Sequence, residues 1–550
     1  MEFAEQLKRR FIQNVVLRRG KSETTKGNIH LTAHHLIFIP DAAAGSTELW
    51  MLYSNINTFE KRVTAGPSFL TLRCRSLVTY QLEFTSAEDC VDVYNAVDTL
   101  ARPASEEDLY PFFFRPRKPL PEIDGVKLEG EIERWGGKHA LRVSTINEDF
   151  KVCTSYPEQV IVPTSVSDEF LKRSSKFRQH GRFPVVSYFH EPNGAVLMRS
   201  GQPHCGPSNH RCSQDEAILN ATLSRHRRGH IVDTRSSTTA QHHKQKGGGV
   251  EVEAHYPQWR RHHCGLENLE TLLDSYTRLM DACADTGSSM GTWLGRVSSS
   301  SWLSHIAQLL QAAQQVVQSM DSEGGCVLVH GIAGWDTTLQ VTALAQVLLD
   351  PHCRTLVGFQ HLIEREWVLP GHPFSLRCGH TSVTSRVERA PVFVMFLDAV
   401  FQVMRQYPCS FEFTDRFLMK LFEHSYSSEY GTFLGNSERE RKAMDVNKKT
   451  HTLWSHFSQE KVSSELTNPA YYKNASVLSP SSAPTGIELW RELYLRLFHG
   501  AAEEDSALVA ARRIAQRLET AKANVEEKKR ELERLQQLVR EKNLGAASSA

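Results

Sequence analysis

A chain of 550 residues can hold two or more domains around a large apolar core. Its 64 Lys and Arg nearly balance 63 Asp and Glu, and the formal net charge of +1 argues neither for nor against a polyanionic partner. Eleven cysteines, an odd number without paired spacing, read as reduced intracellular thiols, and no apolar run is long enough to span a bilayer.

The N-terminus, Met1–Glu5, lacks the character of a signal peptide and carries Glu2 where myristoylation needs Gly. A cytoplasmic location is expected. Residues 1–100 are strand-rich: Ile29–Ile39, Leu49–Tyr53, Phe69–Cys74 and Val78–Phe84 alternate or run apolar between polar turns. A helical pattern follows at Cys90, Val91, Tyr94, Val97 and Leu100. Residues 101–123 read as a polar, Pro-bearing linker. Its aromatic run, Tyr110 to Phe114, predicts that part of it packs on a neighbour.

Residues 124–498 mix apolar strands with helices such as Phe396–Met404 and Phe417–His424, the pattern of an α/β domain with a central sheet. Its most informative stretch is Cys326–Asp350. Cys326–Val329 predicts a buried strand, His330–Thr337 a loop, and Leu339, Val341, Leu344, Val347 and Leu348 a helix. A strand–loop–helix unit of this kind aims backbone N–H groups and a positive helix end at the loop, which suits a phosphate. Ser476–Pro484, rich in Ser, Pro and Ala, reads as a surface loop.

At the C-terminal end, Ala511, Leu518, Val525, Leu532 and Val539 recur every seven residues. Ile514, Ala521 and Leu535 fill the companion seam, with Lys528 as its polar exception. Residues 508–542 are therefore predicted to form a coiled coil of about five heptads. A helix this polar cannot bury its stripe alone, so a partner helix is expected.

Cysteine phosphatases build their catalytic loop as His-Cys, five residues, then Arg. The Cys attacks phosphorus as a thiolate, and the Arg fork holds the phosphoryl oxygens. Here Gly331 occupies the Cys position and Thr337 the Arg position. The loop resembles that of the myotubularin family of phosphoinositide 3-phosphatases, whose active members read His-Cys-Ser-Asp-Gly-Trp-Asp-Arg-Thr. His330, Gly334, Trp335, Asp336 and Thr338 are kept, while Gly331, Ile332, Ala333 and Thr337 replace the Cys, Ser, Asp and Arg. The likeness extends to Gly181–Tyr188, Asp233–Ser236, Gly358-Phe359 with Ile363–Trp367, and Pro391–Phe393 with Phe396–Asp398, in family order.

The resemblance implies an N-terminal PH-GRAM β-barrel domain, an α/β cysteine-phosphatase-like domain without activity, and the C-terminal coiled coil. It implies a regulatory subunit that pairs through Ile514, Leu518, Val525, Leu532, Leu535 and Val539 with active myotubularins, as a heterodimer; a homodimer is the alternative. Such a subunit would stabilise its partner and activate it toward phosphatidylinositol 3-phosphate and 3,5-bisphosphate. Peripheral contact with phosphoinositides of endomembranes, endosomal traffic and autophagy follow from the same resemblance. No cofactor, metal or nucleic-acid partner is expected.

Two rival readings come from other classes. A phosphoinositide-binding adaptor would use the loop as a lipid cradle and need no active partner. An active phosphatase would use Cys205, the one Cys with an Arg (Arg211) six residues on. Its context is poor, because Gln202-Pro203 precedes it where a buried strand should deliver the nucleophile. His204, Cys205, His210 and Cys212, or His262, His263 and Cys264, lack the paired short spacings of a zinc site. Gly247–Gly249 follows no apolar strand and reads as a flexible connector.

Overall fold

Alternation of inward and outward residues curls the N-terminal part of the chain into one antiparallel sheet of seven strands. The strands are β1 (Phe11–Arg19), β2 (Glu23–Leu31), β3 (His35–Pro40), β4 (Leu49–Leu52), β5 (Ile56–Arg62), β6 (Ser68–Cys74) and β7 (Thr79–Phe84), in the order β4-β3-β2-β1-β7-β6-β5. In β6, Leu70, Leu72 and Cys74 point inward at period two. Helix α1 (Ala87–Leu100) covers the core with Cys90, Val93 and Val97, and Ser86 caps it by accepting from Asp89 N–H. The computed structural model describes residues 8–496 except 20–22, 42–47, 224–227, 286 and 387, together with residue 529. The predicted coiled coil, with Ile514, Leu518, Val525, Leu532, Leu535 and Val539, lies outside the described residues.

Two strand predictions need correction. Ile29–Ile39 is not one strand, because Thr32 accepts at Oγ1 from His34 and His35 N–H and turns the chain between β2 and β3. Strand β1 escaped notice because a bulge at Asn14 (φ +56°) puts both Ile12 and Val15 into the core, three positions apart.

The linker is packed. Tyr110 lies 4.4 Å ring to ring from His35, and Phe113 lies 4.6 Å from His34, where the chain enters β3. Phe114 meets Tyr430 of the second domain at 5.5 Å. Arg75 reaches directly across, donating from Nη1 to the carbonyls of Cys378 (2.8 Å) and Gly379 (2.6 Å).

Beyond helix α2 (Leu128–Arg134), β8 (Leu141–Ser144) and β9 (Val160–Pro163) form a small antiparallel pair. The central sheet has five strands: β10 (Val185–His190), β11 (Ala195–Ser200), β12 (Gly229–Asp233), β13 (Trp259–His263) and β14 (Cys326–His330). Its order is β10-β11-β14-β12-β13, parallel except for β10 against β11. Strand β14 is central and wholly buried, as its apolar run predicts.

Helix α3 (Trp302–Val317) packs on helix α4 (Thr337–Leu349), which continues from β14 through the loop. Every residue of α4 from Thr338 to Leu349 is buried, so it is a core helix with no polar face. Gly247–Gly249 is a packed loop, not the flexible connector expected. Gly249 O accepts from Arg235, and a Cβ on Gly248 would fall 2.6 Å from the Gln202 amide. All eleven cysteines are free thiols. No helix among the described residues is long and apolar enough to cross a membrane.

Candidate functional site

Strand β14 carries His330 to the middle of the sheet, level with Ser200 of β11 and Asp233 of β12. Thr234 N–H donates to His330 O (2.8 Å) and Gln202 N–H to Ile332 O (3.0 Å), so both neighbouring strand ends hold the loop's backbone. His330 is buried, with Nε2 3.0 Å from Glu251 Oε2. Arg178 donates to the other Glu251 oxygen at 2.6 Å and forks onto Asp215 at 2.9 and 2.5 Å. Burial works to raise the Glu251 carboxyl, but His330 and Arg178 outweigh it and hold the group well below the ordinary carboxylate range.

At the turn itself Gly334 has φ +79°, a left-handed conformation that favours Gly. Arg182 is buried and clamps this turn, donating to Gly334 O (2.8 Å), Pro370 O (2.7 Å) and Ser155 Oγ (3.0 Å). His180 stacks on Trp335 at 4.6 Å. His372 Nδ1 lies 2.8 Å from Trp335 O, and burial pushes this imidazole down to about 4, so the neutral ring donates. Asp336 precedes α4 but does not cap it through its side chain. It accepts a fork from Arg377 at 2.9 and 2.8 Å.

Between these clamps the crevice is closed by two hydroxyls. Thr234 Oγ1 and Thr337 Oγ1 are hydrogen-bonded at 2.7 Å beside Gly331. A Cβ on Gly331 would lie 2.7 Å from Thr234 Oγ1 and 3.1 Å from Thr337 Oγ1. Gly331→Cys is therefore expected to overpack the crevice and lower stability by about 1–3 kcal/mol in denaturant titrations. A change below a few tenths of a kcal/mol would show that the hydroxyl pair yields freely. Asp336 is the one ionisable side chain from Gly331 to Thr338, and it is already paired. Arg235, at β12's end, spends its guanidinium on Asp233 (2.8 and 2.7 Å), Gln202 Oε1 (2.5 Å) and Gly249 O (2.9 Å). The loop's backbone is held by its neighbours, and its side chains from Gly331 to Thr338 include no Cys, Lys or Arg.

Cys205 is buried in a loop between β11 and the helix Ser213–Asn220, and burial pushes its thiol up to about 12. Arg211 turns away to fork onto Glu216 at 2.8 Å on each arm. Neither His204, His210 and Cys212 nor His262, His263 and Cys264 belongs to a three-ligand group among the described residues. Sequence reading missed Glu251, His372 and Arg377, whose partners are remote in the chain. Arg182 and Thr234 were visible in their motifs, but their bonds to Gly334 and Thr337 were not.

Residues 109–442 match the family model for a myotubularin-like phosphatase domain, and residues 12–101 match that of the MTMR6-9 GRAM domain. Myotubularin-related protein 9 of Mus musculus is 44% identical over 507 residues, covering 90% of this chain and 92% of that protein. The Homo sapiens protein of the same name is 43% identical, covering 90% and 91%. Phosphatidylinositol-3-phosphate phosphatase MTMR7 of Homo sapiens is 35% identical over 528 residues, covering 92% of this chain and 79% of that one. On these matches, and on a PH-GRAM sheet followed by a phosphatase-like α/β domain, the chain belongs to the myotubularin family.

Proposed function

We propose that this protein is a pseudophosphatase that serves as a regulatory subunit of active myotubularins. The observation that carries the reading is the crevice between β14 and α4. Gly331 stands where the resemblance places the nucleophilic Cys, Thr337 where it places the Arg, and the Thr234–Thr337 hydrogen bond fills the space between. Losing one preorganised electrostatic donor typically costs about a hundred- to a thousand-fold in rate, and losing the nucleophile costs far more. Both are absent from this loop. Cys205 offers no substitute, because a thiol that deep and that weakly acidic holds little thiolate at neutral pH.

The regulatory side rests on the family and on the heptads of residues 508–542. Ile514, Leu518, Val525, Leu532, Leu535 and Val539 would form the seam with an active relative. The pair would act on phosphatidylinositol 3-phosphate and 3,5-bisphosphate at endomembranes, with this chain contributing stability and activation in endosomal traffic and autophagy. The relative MTMR7 is named as a phosphatidylinositol-3-phosphate phosphatase, which makes it a suitable test partner.

The test mixes the purified chain with such an enzyme and follows hydrolysis of phosphatidylinositol 3-phosphate, with and without residues 505–550. No turnover is expected from this chain alone, and faster turnover by the partner only with the segment present. Turnover by the chain alone would overturn the reading and point to Cys205. Lipid-vesicle binding with no effect on any partner would favour the adaptor that works alone.

A further inference from the structure

Away from the degenerate loop, three chain segments bring a carboxylate and two imidazoles together. Glu131 lies on α2, His352 on the 3-10 turn Pro351–Arg354, and His361 on helix α5 (Leu356–Ile363). One ligand atom from each lies within 4.8 Å of the other two, and His361 Nδ1 is 3.7 Å from Glu131 Oε1. In a tetrahedral zinc site, bonds of about 2.0–2.1 Å set donor–donor edges of roughly 3.3–3.4 Å. The Glu131–His361 edge, at 3.7 Å, is close to that length, and the other two are no longer than 4.8 Å.

The surroundings hold these donors in place. Glu131 is buried; its Oε2 accepts from Arg134 at 2.8 Å with Arg365 at 3.5 Å, and its Oε1, which takes a long 3.5 Å bond from Arg134 Nε, lies 3.7 Å from His361 Nδ1. Such outer contacts are how proteins hold a ligating carboxylate in place. The His352 backbone is set by its amide N–H donating to Asp350 Oδ1 (2.9 Å) and by Gly358, where a Cβ would fall 1.8 Å from His352 O. Only a glycine lets α5 approach that closely and bring His361 beside His352, their rings 6.0 Å apart. His361 is 34% exposed at its side chain, which gives an ion an entrance and a solvent-facing fourth position.

We propose that Glu131, His352 and His361 bind one borderline-soft divalent ion, zinc in the first place, which ties α2 to α5. Glu131 and Asp350 are balanced by Arg134 and Arg365, so the cluster carries no surplus negative charge to attract magnesium or calcium. Selectivity rests on the two imidazoles, which suit zinc, cobalt or copper and not hard oxygen-seeking ions. The inference is independent of how the loop at Gly331 is read.

The experiment strips the full chain with a chelator and then adds zinc, followed by calorimetry and by metal analysis after desalting. Cobalt serves as an optical probe. Wild type is expected to retain one zinc per chain, to show visible ligand-field bands with cobalt, and to gain a few degrees in Tm with excess zinc. His361→Ala and His352→Ala should each lose that equivalent, at least about ten-fold in affinity, together with the cobalt bands and the Tm gain. Where Ala disturbs folding by circular dichroism, His361→Asn serves in its place. Wild type that binds no zinc, or variants that keep the same stoichiometry, spectrum and Tm gain, would overturn the proposal.

Discussion

Glu251→Gln is expected to lower the unfolding free energy by about 3–5 kcal/mol at pH 7, the usual consequence of removing one partner from a buried ion pair. Arg178 and His330 are both fully buried, and Glu251 is the acceptor they share. Without it Arg178 keeps only Asp215 as a counter-charge, and His330 Nε2 faces a neutral amide at the base of the loop. The pH dependence has a definite sign. The folded carboxyl sits below its ordinary value of 4.5, so its contribution is fully present above that pH and fades as pH falls through the lower folded value. The gap between wild type and variant should therefore narrow in acid. Urea titrations at pH 7 and pH 4 measure both, and a gap under about 1 kcal/mol at pH 7 would refute the network's structural role.

The second large effect is expected at Gly334→Ala. A left-handed conformation costs an L-residue roughly 1–2 kcal/mol. The new Cβ would also fall 2.3 Å from Ser200 O and 2.8 Å from Ser200 C, both backbone atoms that cannot rotate away. Overpacking of that kind costs about 1–3 kcal/mol, giving about 2–5 kcal/mol in all. Gly125→Ala is the control, since a Cβ there meets nothing within 4 Å. Thermal melts of the two variants should separate clearly; coincident melts would mean that the loop is softer than its contacts imply.

What the sequence disclosed depended on how local each signal was. Strand β14 and helix α4 were legible because uninterrupted apolar residues spell a buried strand and a buried helix. Strand β1 was not, since Asn14 inserts one residue and spoils the alternation by which strands are recognised. The degenerate loop was legible residue by residue through its likeness to a family motif. What fills and clamps it was not, because the Thr234–Thr337 bond and the Asp336–Arg377 fork join residues from separate elements. The Gly247–Gly249 run misled for the opposite reason. Three glycines look like slack chain, yet here small size lets the backbone press against Gln202 and offer a carbonyl to Arg235. Glu131, His352 and His361 carry no spacing signature at all.

The contact made by Arg75 bears on how this protein can be taken apart. Its guanidinium leaves the N-terminal sheet and ends on two carbonyls of the phosphatase-like domain, where burial pushes its pKa down to about 10. Ser54 Oγ meets Ser427 Oγ at 2.6 Å, and Arg496 donates back to Ser76 O at 3.2 Å. A truncation between residues 100 and 124 would bare the Cys378 and Gly379 carbonyls and the aromatic seat of Tyr110 at one stroke. The linker in the sequence is thus no seam in the folded molecule, and the GRAM sheet lines its neighbour. Deletions that spare residues 8–496 keep every one of these contacts between the two domains.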